Sequence, residues 1–116
     1  MHWNELEVWK SSHSLVLEVY KKTCTFPKHE MYGVTSQLRR SSSSVPANIV
    51  EGQSRNTTKE YLSFLFNARG SLEETRYFLL LSKDLEYLSV DCYSGLEQTC
   101  EKISRMLNAL IKKLKQ

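Results

Sequence analysis

Residues 37–52 read QLRRSSSSVPANIVEG, and this stretch decides the fold. Leu38, Val45 and Ile49 step by seven and four residues, which is the spacing of one face of an α-helix, and Ser42 falls on the same face. A run of serines is usually typical of a loop. Because these serines lie within the apolar period, we interpret them as small residues that let a neighbouring helix approach closely.

The size and composition of the chain are those of one globular domain. Its 116 residues are 41% hydrophobic and 25% charged, and a chain of this length can bury one core without disulfides or metals. The net charge of +3 is mild, and no segment is a basic tail, so nucleic-acid binding is permitted but not required. We therefore predict a single domain over residues 1–116.

The cysteines and the hydropathy pattern indicate a reducing compartment. Cys24, Cys92 and Cys100 are odd in number and lack CxxC spacing, which disfavours a disulfide framework or a zinc site. We expect free thiols in the core. No charged-then-apolar leader opens the chain and no apolar run reaches about 20 residues, so we expect a cytoplasmic protein with no membrane partner.

The first helix is predicted over residues 5–24 and ends before Phe26-Pro27. Its predicted core-facing stripe combines a seam with three flanking residues: Leu6, Trp9, His13, Val16 and Tyr20, widened by Val8, Leu15 and Val19. His13 is either a ligand or acid–base group, or a histidine packed at the edge of the core. The absence of a second histidine or carboxylate at matching spacing favours the packed histidine.

The second helix is predicted from Glu30 to Arg55, with Met31 and Val34 opening its apolar face and Gly52 marking its end. Pro46 removes one backbone donor, which predicts a kink near residues 42–43. A polar ladder runs beside the apolar face: Arg40, Ser44, Asn48, Glu51 and Arg55. This ladder is either a recognition face for phosphate or a partner subunit, or a solvated face with local ion pairs.

The segment Thr57-Thr58-Lys59-Glu60 has the form of a capping box and predicts a third helix from Thr58 to about Glu86. Residues 77–81 (YFLLL) are apolar nearly all round, which indicates burial on a second side, most simply by another subunit. Gly70 lies in mid-helix, where the close approach of another backbone would compensate for its cost. The serine-rich stretch of the second helix is the expected neighbour.

The fourth helix begins after a cap at Ser89 or Asp91. Its apolar seam comprises Leu96, Cys100, Ile103, Leu107, Leu110 and Leu114. Lys112, Lys113 and Lys115 either complement the helix dipole or form a nucleic-acid patch. Four helices joined by short turns predict an all-α fold, an antiparallel up-down-up-down four-helix bundle.

Several segments resemble the family of proteins encoded in 23S ribosomal RNA intervening sequences, the S23 family. They are Val8-Trp9-Lys10, Phe26-Pro27 and residues 30–40 (EMYGVTSQLRR), 44–52 (SVPANIVEG) and 68–74 (ARGSLEE). Residues 41–43 are serines where the family prefers alanines, and His13 stands where long apolar residues are common. The resemblance implies that the motif residues are structural: Pro46, Asn48, Glu51, Gly52, Gly70, Ser71 and Glu74.

The resemblance also implies an assembly and a set of partners. It implies a homopentamer of antiparallel bundles with no known catalysis. A related branch, the accessory variability determinant protein of diversity-generating retroelements, partners a reverse transcriptase and RNA. The central block is shared by both branches, so it does not separate them.

Two functions remain open, and catalysis is disfavoured. The first is a scaffold that binds RNA or DNA through basic residues repeated around a ring: Arg39, Arg40, Arg55, Lys59, Arg69, Lys112 and Lys113. The second is a protein-interaction module without nucleic-acid binding. The histidines stand in no Glu-x-x-His motif and beside no evident nucleophile, so no catalytic residue, metal site or cofactor is expected.

Overall fold

The computed structural model describes residues 2–116, and this part of the chain contains helices and no strand. A short 3-10 helix at Trp3–Glu5 precedes α1 (Glu7–Thr23), and a second one at Lys28–Glu30 precedes α2 (Val34–Gln53). α3 (Thr58–Asp84) and α4 (Val90–Lys115) complete the fold. The predicted all-α architecture is confirmed.

The four helices form an antiparallel bundle in which each helix packs against two others. α1 contacts α2 and α4, and α3 contacts the same two helices, with the most extensive packing between α2 and α3. The bundle measures 44 × 24 × 20 Å. Because the helices alternate in direction, α1 and α3 begin at the end of the bundle where α2 and α4 finish.

The centre of the core is the apolar face that the opening stretch predicts. Leu38, Val45 and Ile49 are at most 1% exposed, and Ser42 is fully buried beside them. α3 contributes Leu65, Leu72 and Leu79 as predicted. The predicted apolar seam of α4 is also confirmed as far as Leu107. Beyond it, Ile111 is buried, whereas the predicted Leu110 and Leu114 are half-buried.

The serine-rich stretch packs against α3 through small hydroxyl side chains. Thr75 Oγ1 lies 2.9 Å from Ser41 Oγ, and both residues are fully buried. One turn further on, Ser71 Oγ donates to Ser44 Oγ at 3.0 Å. The predicted close approach therefore exists, and Ser41 and Ser44 are the serines whose hydroxyls bond to α3.

Of the two glycines in the central motifs, Gly52 is the one that lies close to another helix. Gly52 is near the end of α2 as predicted, one residue before Gln53, and a Cβ there would lie 2.9 Å from Phe64 Cβ and from Tyr61 Cδ1 of α3. Gly70 is exposed, and a Cβ there would meet nothing within 4 Å. The close backbone approach expected at Gly70 is therefore wrong within this chain, whereas α3 lies close to α2 at Gly52.

These contacts predict opposite effects for one substitution at two sites. Gly52→Ala should lower the free energy of unfolding by about 1–2 kcal/mol, because overpacking exceeds the gain in helix propensity. Gly70→Ala should raise it by up to about 1 kcal/mol, because it gains propensity without a clash. Urea unfolding of both variants gives the sign of each change in the free energy of unfolding. Equal stabilisation by both would contradict the close approach at Gly52.

The predicted stripe of α1 is confirmed for its three flanking residues but not for most of its seam, because apolar residues occupy two adjacent sides of this helix. Val8, Leu15 and Val19 are at most 5% exposed, and Ser12 and Thr23 complete this core face. Tyr20 is 45% exposed, and His13 is also exposed. Trp9 and Val16 are half-buried. The seam from Trp9 to Tyr20 is therefore a partly exposed flank of α1.

The second helix begins four residues later than predicted, because a tertiary contact fixes the turn before it. The Glu30 carboxylate accepts from Tyr87 Oη at 2.8 Å and from the Val34 amide at 3.3 Å. These bonds, led by the one from Tyr87, hold the pKa of Glu30 below its usual range. Met31 is 48% exposed and does not join the apolar face.

The predicted helix starts at the other two turns are confirmed. Thr57 Oγ1 accepts from the Glu60 amide at 3.1 Å, and the Glu60 carboxylate accepts from the Thr57 hydroxyl at 2.9 Å. Ser89 Oγ caps α4 by accepting from the Cys92 amide at 3.0 Å. α3 ends at Asp84 rather than near Glu86, because Glu86 adopts a left-handed conformation with φ of 66°.

Candidate nucleic-acid interface

The predicted basic residues do not form one patch. Arg39 lies against α1, where its Nε donates to Thr23 Oγ1 at 2.9 Å and its guanidinium lies 4.8 Å from the Tyr20 ring centroid. Arg40 pairs with Glu74 of α3 and bonds to Gln37. Both arginines therefore have contacts within the chain.

Arg55 also has contacts within the chain. Its guanidinium lies 4.6 Å from the Phe64 ring centroid, and its Nη2 is 3.7 Å from Glu51 Oε2. These contacts tie the end of α2 to α3. They leave Arg55 with a carboxylate partner, which reduces its net attraction for phosphate.

Two other cations, one on α3 and one on α4, lie over the exposed Phe66 ring of α3. Arg69 lies 5.2 Å and Lys115 Nζ 5.3 Å from the centroid of the Phe66 ring, which is 37% exposed. Arg69 Nη1 also donates to Asn108 Oδ1 of α4 at 3.1 Å. Lys112 shares this face of α4, since it follows Asn108 by four residues and precedes Lys115 by three.

Lys59 belongs to the same face of α3, seven residues before Phe66. We call Lys59, Arg69, Lys112 and Lys115 the α3–α4 cationic cluster. Among residues 2–116, no carboxylate lies within 4.0 Å of any of the four. Lys113 is exposed, but its spacing places it on another face of α4.

Three carboxylates further along α3 and α4 share one arginine. Arg76 of α3 bonds to Glu73 at 3.1 Å and to Glu97 and Glu101 of α4. These bonds, led by the one from Glu97, raise the pKa of Arg76 above its usual range. Arg76 therefore offsets part of the negative charge of these three carboxylates beside the α3–α4 cationic cluster.

A row of aromatic rings, which the sequence pattern did not reveal, lies where α1 begins. The ring centroids of His2, Trp3, Trp9 and His13 follow one another at 4.6, 4.9 and 4.9 Å. His13 is stacked on Trp9 with an interplanar angle of 7°. Trp9 and His13 are four residues apart on the predicted seam of α1, so the sequence identifies them as neighbours. Trp3 lies in the 3-10 helix before α1 and carries no periodic signal.

The titratable groups show no further cluster of chemical interest. Within residues 2–116, no three His, Cys, Asp or Glu side chains are placed to hold a metal ion. Burial raises the pKa of the Cys100 thiol to about 12, and Cys100 is the only one of the three cysteines in the core. The expectation of core thiols is wrong for Cys24, which is exposed.

In the described part of the chain, no helix has the length and apolar character that a bilayer crossing requires.

Comparison with known proteins establishes the family. The sequence profile described as 23S rRNA-intervening sequence protein matches residues 4–109. The chain belongs to this family. The resemblance predicted from residues 30–52 and 68–74 is therefore confirmed.

A solved structure supports the same fold for this member of the 23S rRNA-intervening sequence family. It is a protein of unknown function from the S23 ribosomal protein family of Bacteroides thetaiotaomicron, with a TM-score of 0.81 and 24% sequence identity. The alignment covers 90% of this chain and 98% of that one. No curated protein matches the chain.

Several of the family motif residues line the contact between α2 and α3. Asn48 Nδ2 donates to Ser44 O at 2.8 Å and to Ser44 Oγ at 3.0 Å, and Ser44 accepts from Ser71. Glu74 pairs with Arg40, and Pro46 and Gly52 are buried. In the 23S rRNA-intervening sequence family fold seen here, Ser71, Glu74 and Gly52 lie at the contact between α2 and α3. Glu51, which pairs with Arg55, and Gly70 are exposed.

Proposed function

We propose that this protein is a non-enzymatic helical adaptor that binds RNA or DNA through the α3–α4 cationic cluster. The observation that carries the proposal is the α3–α4 cationic cluster, in which Arg69 and Lys115 lie over the Phe66 ring and none of the four cations has a carboxylate within 4.0 Å among the described residues. Unpaired lysines and arginines bind phosphates by releasing counterions, which gives sequence-tolerant binding. We further propose that it acts in the cytoplasm.

We propose that the adaptor functions as a homo-oligomer, for which a pentamer is the expected state. Tyr77 is 57% exposed and Leu80 is 37% exposed on the outer side of α3. Apolar side chains of this size on one helix face support a contact with another subunit. An oligomer would repeat the cationic cluster and strengthen the local field.

The same apolar side chains support the second candidate function, a protein-interaction module without nucleic-acid binding. Tyr77 and Leu80 flank a shallow groove with Tyr93 and Glu97 of α4. Such a groove suits a partner protein, of which a reverse transcriptase is one candidate by family resemblance. Under this alternative, the cationic cluster would serve only the solubility of the end of the bundle.

The cationic cluster can be tested with a matched pair of charge-neutralising variants. Lys112→Gln/Lys115→Gln should weaken binding of nuclease-treated protein to structured RNA by about tenfold at low salt, and should reduce the slope of log K against log salt by about 1.4–1.8. Lys21→Gln/Lys22→Gln is the control, because it removes two lysines from the last turn of α1 at the opposite end of the bundle. Anisotropy titrations across a salt series, with oligomer mass recorded in the same buffers, provide the measurement.

The outcomes separate the two candidate functions. A loss confined to the α4 variant supports the cationic cluster as the interface. An equal loss in both variants would assign binding to net charge alone and would reject the cluster. An intact oligomer that binds neither RNA nor DNA at 50 mM salt would leave the protein-interaction module as the function.

A further inference from the structure

The row of aromatic rings on α1 ends in a surface that a nucleic-acid base could extend. His13 is exposed, and its ring is nearly parallel to the Trp9 indole at a centroid distance of 4.9 Å. One face of His13 is covered by Trp9, and Trp9 is supported in turn by Trp3 at 4.9 Å. A ring held in this way is a stacking platform, because its orientation is fixed before any ligand arrives.

A groove suited to an anion lies on the adjacent side of α1. It is lined by Lys10, Ser11 and Ser14 of α1 and by Thr99 and Lys102 of α4. The hydroxyls of Ser11 and Ser14 make no hydrogen bond within residues 2–116, and Lys102 has no carboxylate within 4.0 Å there. The groove therefore offers two hydroxyl donors and a free ammonium, all suited to phosphate oxygens.

The carboxylates near this groove reduce its charge only in part. Glu7 Oε1 lies 3.5 Å from Lys10 Nζ, and both side chains are more than half exposed. Glu18 lines the neighbouring groove together with Lys22. Because an exposed pair such as Glu7–Lys10 is weak, a phosphate could compete for the Lys10 ammonium.

The platform and the groove are adjacent on one helix. Lys10 follows Trp9 directly and precedes His13 by three residues, so Lys10 and His13 are neighbours on the exposed side of α1. Residues spaced in this way have Cβ atoms about 5–6 Å apart, so one nucleotide could reach both side chains. The two features thus match the two parts of a single nucleotide.

We infer that α1 carries a binding site for an unpaired nucleotide, with the base stacked on His13 and its phosphate in the groove between α1 and α4. This inference rests on the proposed function and specifies the ligand as single-stranded nucleic acid. A base within a duplex cannot present its face to a ring, so duplex would be held through its phosphates alone. The site adds base contacts to a surface that otherwise binds phosphate.

The sequence supplies a built-in probe for this site. The chain contains two tryptophans, and both belong to the aromatic row. Their fluorescence therefore reports on the platform alone. An oligodeoxythymidine strand should quench the emission, whereas an abasic strand of equal length and a duplex should bind without quenching.

Substitution of His13 tests the same site by affinity. His13→Ala should weaken oligodeoxythymidine binding by about 5- to 100-fold, the usual effect of removing one stacking ring, and should leave binding of the abasic strand unchanged. His13→Phe should restore binding, because it keeps the ring. His29→Ala is the control, since His29 is an exposed histidine in the 3-10 helix Lys28–Glu30 that follows α1, with its Nε2 3.9 Å from Glu30 Oε2.

The outcomes distinguish this site from the proposed function. Quenching by the single strand together with the His13→Ala loss and His13→Phe rescue supports the platform. Binding measured by anisotropy without quenching, and with His13→Ala equal to the parent, overturns the platform and leaves the cationic cluster intact. Failure to bind any of the three ligands overturns both.

Discussion

Ser41→Leu is expected to lower the free energy of unfolding by about 3 kcal/mol, at the upper end of the range for overpacked cores. Ser41 is fully buried, and its hydroxyl meets Thr75 Oγ1 at 2.9 Å across the α2–α3 contact. A leucine would insert branched carbon atoms where two hydroxyls now meet. It would also remove a hydrogen-bond partner of Thr75, which is itself fully buried.

Two further variants separate overpacking from the lost hydrogen bond. Ser41→Ala keeps the space and removes the hydroxyl, so it should cost only about 0.5–1.5 kcal/mol. Ser36→Leu places the same side chain on an exposed position in the first turn of α2 and should change stability by less than about 0.5 kcal/mol. Urea unfolding of all three gives the comparison. Similar stability of Ser41→Leu and the parent would show that α2 and α3 can separate without cost.

The sequence predicts the bundle because its strongest signals are local and periodic. Leu38, Val45 and Ile49 repeat at helical spacing, so their common face follows from the geometry of the helix alone. Thr57 and Ser89 cap helices through bonds to residues three positions away. Signals of this kind need no knowledge of the tertiary structure.

The predictions that were wrong depend on contacts between distant residues. α2 begins at Val34 because Glu30 bonds to Tyr87, 57 residues further along the chain. A Cβ at Gly52 would meet Phe64 and Tyr61, whereas one at Gly70, which has the same intrinsic cost, would meet nothing within 4 Å. Composition cannot distinguish two such glycines, because the distance between helices decides which one is needed.

The candidate sites show the same limit. The sequence identifies the candidate basic residues. Which of them pair with a carboxylate depends on how neighbouring helices are aligned. Arg40 meets Glu74, while Arg69 meets Asn108 and retains its charge. The seam of α1 was likewise visible in the sequence, but its exposure depends on which of two apolar sides faces the core.

Arg76→Ala is expected to lower the free energy of unfolding by about 2–3 kcal/mol, because it leaves several carboxylates without their shared partner. The Arg76 side chain is 25% exposed, and its guanidinium joins Glu73 of α3 to Glu97 and Glu101 of α4. Its best-shielded partner, the Glu97 side chain, is 27% exposed. This expected loss of stability is smaller than that for a fully buried ion pair, because water still reaches both groups. Thermal and urea unfolding provide the measurement.

A matched arginine on α4 tests whether partial burial causes this effect. Arg105 pairs with Glu101 at 3.8 Å, but its side chain is 71% exposed, so Arg105→Ala should cost less than about 0.5 kcal/mol. A double-mutant cycle of Arg76→Ala with Glu97→Ala should give a coupling energy of about 1–2 kcal/mol. Coupling near zero would contradict the Arg76–Glu97 link.

The same variant should also affect nucleic-acid binding. Loss of the Arg76 guanidinium leaves nearby carboxylates without a partner and exposes negative charge beside the α3–α4 cationic cluster. Arg76→Ala should therefore weaken nucleic-acid binding without removing any residue of that cluster.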